Sequence, residues 1–172
     1  MVKTKMKTNK LYLNPGQLVI AENTKIVWTL LGSCISIIFH NQEKKISAVS
    51  HAQLPYEKSN LSCKSTCPKP CGKDEKDEFK YVTCSFKYML EEFHNRGIKN
   101  KDIEVSLFGG SSMFRHERDM FKIGEMNINK AKELIRQHKL KIVDENTGGN
   151  SSRTLTHYSD TGITDLKVDG RN

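Results

Sequence analysis

No apolar run approaches the ~20 residues that a helix needs to cross a bilayer. The first ten residues carry lysines without the apolar core of a signal peptide. Membrane insertion is excluded on that reading, and a cytoplasmic location is expected. Internal repeats and low-complexity segments are also lacking, so the 172 residues read as one well-cored domain over 11–172, preceded by a loose basic arm over 1–10. Helix-turn-helix and zinc-finger spacings are absent. The formal net charge of +8 is therefore not read as a nucleic-acid footprint. Its lysines are scattered, and the densest charge run, Lys73-Asp-Glu-Lys-Asp-Glu78, is mixed in sign, as in a solvated loop. Such a basic surface suits an acidic protein partner.

What is present begins with small residues around a thiol. Thr29-Leu-Leu-Gly-Ser-Cys34 is followed 17 residues after the cysteine by His51, inside Ser50-His-Ala-Gln-Leu-Pro55. A thiol near pKa ~8.5 is mostly protonated at neutral pH and needs a base or a positive field to become a nucleophile. Cys34 is the candidate nucleophile and His51 the candidate base. Gly32 and Ser33 leave room for a substrate to approach the sulfur, and their N–H groups can face an oxyanion. Read without that context, Cys34 is a small apolar residue opening a core strand.

β-Branched, apolar-rich segments predict strands at 17–20, 25–31, 35–39 and 46–51, with 41–45 as a hairpin loop that brings the Cys34 and His51 segments side by side. Val82, Phe86, Met89 and Phe93 recur at helical spacing and Gly97 stops them. A buried strand at 103–108 runs into Gly109-Gly110, where missing side chains let backbone approach a substrate or another loop. A second helix is expected from about Asn127, with Ile128, Ala131, Ile135 and His138 on one stripe. Strands follow at 141–144, 153–157 and 163–168. Many strands with two helices make an α/β layered domain.

Several blocks in order extend the first motif: Gly109-Gly-Ser-Ser-Met-Phe114, Ile123-Gly-Glu-Met-Asn127 and Thr147-Gly-Gly-Asn-Ser-Ser-Arg153. Together with the Cys34 and His51 blocks, they resemble the CheD family of chemoreceptor glutamine deamidases from about Asn14 to about His157. The resemblance implies packed mixed β-sheets flanked by helices, with Cys34 as nucleophile, His51 as base and Thr29 orienting the imidazole. It also implies a chemoreceptor cytoplasmic domain as substrate, a CheC-type phosphatase as a second partner, and no cofactor for deamidation. Counted without a gap from Cys34, Trp28 falls on the family's threonine and Thr29 is displaced by one residue. In a strand that displacement turns a side chain to the opposite face, so Thr29 reaches His51 only through a bulge or local gap. Gln53 and Ser151 are further departures, at positions where the family has methionine and often arginine.

Cys63, Cys67 and Cys71 lie at C-x3-C-x3-C in a loop at about 56–80, with Cys84 at the start of the first helix. Four thiolates suit zinc or an iron-sulfur cluster, although the spacing matches neither a zinc knuckle nor a ferredoxin run. The other readings are a reduced loop or a redox-labile pair. Beside the deamidase, two alternatives stand: a receptor- or phosphatase-docking adaptor, and a metal or redox sensor acting through this loop.

Overall fold

The computed structural model describes residues 9–56, 79–112 and 121–169. In chain order its main elements are β1 (Lys10–Tyr12), β2 (Leu18–Glu22), β3 (Ile26–Leu31), β4 (Ile35–Asn41), β5 (Ile46–Ser50), α1 (Val82–Asn95), β6 (Glu104–Gly109), α2 (Phe121–Gln137), β7 (Lys141–Thr147), β8 (Arg153–Tyr158) and β9 (Thr164–Val168). They form a four-stranded sheet in the order β1-β3-β8-β9 and a five-stranded sheet in the order β2-β5-β4-β6-β7. Both sheets are mixed, since β1 runs parallel to β3 and β6 parallel to β7. This is the layered α/β sandwich expected from the sequence.

Two apolar layers set the stacking order. Val27, Leu31, Ile38, Val49, Phe108 and Leu155 pack between the sheets. Ile35, Ile37 and Phe39 point the other way, onto Val82, Phe86, Met89 and Phe93 of α1 and Ala131 and Ile135 of α2. The five-stranded sheet is thus covered on both faces. That is why all seven residues of β4 are buried and its apolar residues, Ile35, Ile37, Ile38 and Phe39, do not simply alternate with polar ones. The four-stranded sheet shows one face outward, and β3 alternates accordingly, with Val27, Thr29 and Leu31 buried and Leu30 exposed.

The α1 stripe is core, and Gly97, at φ +75°, closes that helix by donating its N–H to the His94 carbonyl at 2.8 Å. Two boundaries differ from expectation. α2 starts at Phe121, six residues before the predicted Asn127. Gly124, inside this first part of α2, is required by packing, because a Cβ there would lie 2.5 Å from the Gly110 carbonyl oxygen. Lys10, assigned to the arm, opens β1 beside β3, Asn9 O accepts from Ile26 N–H at 2.9 Å, and residues 1–8 of the arm lie outside the described residues.

Candidate active site

The site forms where β4 and β5 run on past their ends. Ile35 and Ala52 exchange both backbone hydrogen bonds at 2.9 Å, an isolated bridge in the same register as β4–β5, three positions past the Ile38–Val49 pair. Ile35 and Ala52 face the helices. Alternation therefore turns Cys34 and His51 to the opposite face as diagonal cross-strand neighbours, and Cys34 packs against the layer between the sheets. The hairpin expected from the sequence produces this juxtaposition.

His51 is 1 % exposed and is held from two directions. Its backbone N–H donates to the Gln17 carbonyl at 2.9 Å, and its carbonyl accepts from Gly16 N–H at 2.8 Å. Across the inter-sheet layer, Thr29 Oγ1 lies 2.7 Å from His51 Nδ1 and 2.7 Å from the Leu13 carbonyl oxygen. The carbonyl can only accept, so the single hydroxyl hydrogen goes to Leu13 and Thr29 accepts the Nδ1–H. The neutral imidazole is thereby fixed with its lone pair on Nε2. That atom is buried and has no hydrogen-bond partner among the described residues.

Thr29 reaches His51 without a bulge in β3, whose register with β8 is unbroken from Ile26 to Leu31. Trp28 lies on the outer face, its ring 4.5 Å from Tyr12 and capped by Lys10 Nζ at 5.3 Å.

Burial decides the charge state of the pair. It pushes the Cys34 thiol above its ordinary value, against a smaller lowering by the residue's own N–H. Burial also pulls His51 down to about 4, against a smaller raising by the Leu13 carbonyl. At neutral pH the site therefore holds a thiol beside a neutral imidazole, not a thiolate–imidazolium pair.

The segment 32–34 is gripped by its carbonyls. Gly32 O accepts from Ser111 N at 2.8 Å, Ser33 O from Asn127 Nδ2 at 3.1 Å and Cys34 O from Gly110 N at 2.8 Å. None of the N–H groups of Gly32, Ser33 and Cys34 donates to a backbone carbonyl among the described residues. Consecutive N–H groups without a backbone acceptor among the described residues, beside a nucleophile, form an arrangement that can receive an oxyanion.

At Gly109 and Gly110, where the missing side chains were expected to admit a substrate or another loop, neighbouring parts of the chain lie close. A Cβ on Gly109 would fall 2.3 Å from the Cys34 carbonyl oxygen, and one on Gly110 would fall 2.6 Å from Ile128 Cγ1. Their observed part is to let the β6 terminus lie against Cys34 and α2. Arg153, 5 % exposed, stabilises the loops behind them by donating to Ser111 Oγ at 2.5 Å, Gly148 O at 2.6 Å and Asn146 Oδ1 at 2.7 Å.

Asn127 and the Leu13 carbonyl were missed as site components. The asparagine had a signal in the Ile123-Gly-Glu-Met-Asn127 block, whereas a backbone carbonyl has none. Of the proposed metal thiols, Cys63, Cys67 and Cys71 lie outside the described residues, and Cys84 is buried in the first turn of α1. Among the described residues, no group of three or more His, Cys, Asp or Glu side chains could hold a metal ion. Nor is any helix among them long and apolar enough to cross a membrane.

Residues 67–168 match the family model described as CheD chemotactic sensory transduction. The chain is 31 % identical over 156 residues to "Probable chemoreceptor glutamine deamidase CheD 2" of Geobacter sulfurreducens, covering 91 % of this chain and 88 % of that protein. It is 29 % identical over 141 residues to a Methanococcus maripaludis protein named "Probable chemoreceptor glutamine deamidase CheD", covering 82 % and 83 % of the two chains. A Caldanaerobacter subterraneus protein of the same name is 30 % identical over 142 residues, covering 81 % and 80 %.

Proposed function

Because the chain belongs to the CheD family, we propose that it is a protein-glutamine deamidase that converts chemoreceptor glutamines to glutamates through a Cys34 thioester. The observation that carries this reading is the Thr29-fixed imidazole, whose bare Nε2 shares a sheet face with the Cys34 thiol.

As the sulfur attacks the side-chain carboxamide carbon, His51 Nε2 takes the thiol proton, so neither charged form has to be stored in the buried resting site. Negative charge moves to the carboxamide oxygen, where the N–H groups of the 32–34 segment receive it. The imidazolium then gives its proton to the departing nitrogen, and ammonia leaves. Water attacks the thioester while His51 takes a proton from it, and the tetrahedral adduct collapses to glutamate, with the thiol restored. Thr29 holds the Nδ1–H throughout. No step calls on a cofactor.

In this reading the protein works in the cytoplasm, in chemotactic adaptation, with a receptor cytoplasmic domain as substrate and a CheC-type phosphatase as a second partner. The docking-adaptor alternative drew on Trp28 standing in the threonine's place. That support is weakened by Trp28 lying on the outer face, while Thr29 bonds to His51.

The test is peptide mapping by mass spectrometry of a receptor cytoplasmic fragment incubated with the protein. Gln-to-Glu conversion at discrete sites is expected with the parent chain and is expected to vanish with Cys34→Ser and with His51→Ala. Conversion at the parent rate by either folded variant would overturn the assignment.

A further inference from the structure

The peptide joining Ser33 to Cys34 is planar, and in its trans form the C=O and N–H point in opposite directions, so fixing one fixes the other. The group that fixes it comes from α2. Asn127 is fully buried, and its Nδ2 donates to the Ser33 carbonyl at 3.1 Å and to the Gln53 carbonyl at 3.0 Å. Both partners can only accept, so the NH2 end must face them, and both of its hydrogens are used. No backbone N–H among the described residues donates to either carbonyl. One side chain therefore holds both the peptide that presents the Cys34 N–H and Gln53, two places beyond His51.

We propose that Asn127 is a positioning residue for deamidation, locking the Ser33–Cys34 peptide so that the Cys34 N–H stays aimed at the forming oxyanion and tying that peptide to the His51 segment. This rests on the deamidase reading above. The bond to Ser33 O also polarises the peptide, which strengthens its N–H as a donor. Asn127 Oδ1 is buried with no hydrogen-bond partner among the described residues. An unsatisfied acceptor opposes stability, so packing alone is a poor account of an amide at this point. Gly110 and Gly124 complete the device, since their missing side chains let α2 come close enough to reach Ser33.

The test uses the full chain with Asn127→Asp, which is nearly isosteric but replaces the double donor by an acceptor, and Asn127→Ala, which removes the amide. Three quantities are measured: kcat and KM on a receptor cytoplasmic fragment, the rate at which iodoacetamide alkylates Cys34, and thermal melting. Alkylation needs the sulfur nucleophile but no oxyanion donor, so it separates the proposed role from general damage. The expected result is a fall in kcat of about 10²-fold, the scale of losing one oxyanion donor, with KM and alkylation rate within about threefold of the parent. Near-parent kcat in either folded variant would overturn the proposal. So would parallel losses of kcat, alkylation and melting temperature, which would make Asn127 a structural post. If Asn127→Asp does not fold, Asn127→Ala decides. Cys34→Ser is assayed alongside: an active Cys34→Ser sinks the deamidase mechanism itself, whereas an inactive Cys34→Ser beside an active Asn127→Ala sinks only the role given to Asn127.

Discussion

At the scale of single residues, the site depends on where one hydrogen sits. Thr29 donates to Leu13 O and accepts from His51 Nδ1, so a side chain of the same shape without the hydroxyl should release the imidazole while barely changing the volume. Thr29→Val is expected to lower kcat about 10²-fold through misorientation, whereas Thr29→Ser should stay close to the parent. The valine variant also strands the Leu13 carbonyl, at a cost of about 1–3 kcal/mol, which chemical denaturation would register. Since His51 must be neutral to accept a proton, and burial pulls it down to about 4, the acid limb of the kcat/KM profile should fall near pH 4. A limb near pH 6.5 would show an imidazole in contact with water. Trp28→Thr, on the outer face, should not restore activity to Thr29→Val.

At the scale of elements, α2 is placed by contact between backbones. In an ordinary exposed helix, glycine to alanine gains about 1 kcal/mol. Gly124 should show the opposite sign, because its Cβ would press on the Gly110 and Ser111 carbonyl oxygens at 2.5 and 2.9 Å. Gly124→Ala is expected to destabilise by about 2 kcal/mol and to lower kcat, because α2 carries Asn127. Gly97→Ala is the control. There nothing lies within 4 Å, and only the φ of +75° is unfavourable, so a loss of about 1 kcal/mol with unchanged kcat is expected. Equilibrium denaturation and steady-state assays on the two variants would separate these effects. If Gly124→Ala proves stabilising, the close crossing is wrong.

For the whole molecule, the two sheets are also bridged by a buried polar chain at the end of β4 away from Cys34. His40 Nε2 donates to Gln42 at 3.1 Å, and its Nδ1 accepts from Ser47 at 2.9 Å. Ser47 in turn accepts from His157 Nε2 at 2.8 Å, and His157 Nδ1 accepts from Thr164 at 2.9 Å. These bonds leave neither ring of the chain without a polar partner. Burial, followed by the nearby His40, pulls His157 down to about 4, with Asp160 opposing. An unfolded histidine protonates near 6.5, so between pH 6.5 and 4 the unfolded chain binds protons that the native His51 and His157 refuse. Stability is therefore full above about pH 7 and is lost as pH falls through that window, by about 3 kcal/mol for each histidine. Urea denaturation at pH 7.5 and at pH 4.5 would measure the loss. His157→Gln should remove about half of the pH dependence, and an unchanged slope would place the titration elsewhere.

Residue chemistry and periodicity by themselves determined the layered α/β class, the α1 stripe and the β4–β5 hairpin whose strands carry Ile35 beside Ala52. These follow from local rules: alternation in a strand, a recurring helical face and a short turn. Which face Thr29 presents was not legible. Counting residues from Cys34 presumes that the chain between is regular, whereas a turn can absorb one residue that a paired strand cannot. The start of α2 was hidden for a related reason, since Gly124 weakens helix propensity locally and is explained only by Gly110, distant in sequence. Asn127 was visible as part of a motif, but its two acceptors belong to segments 94 and 74 residues away. The charge state of the Cys34–His51 pair was likewise beyond the sequence. It is set by how much water the folded sheets exclude, and only the tertiary structure decides that.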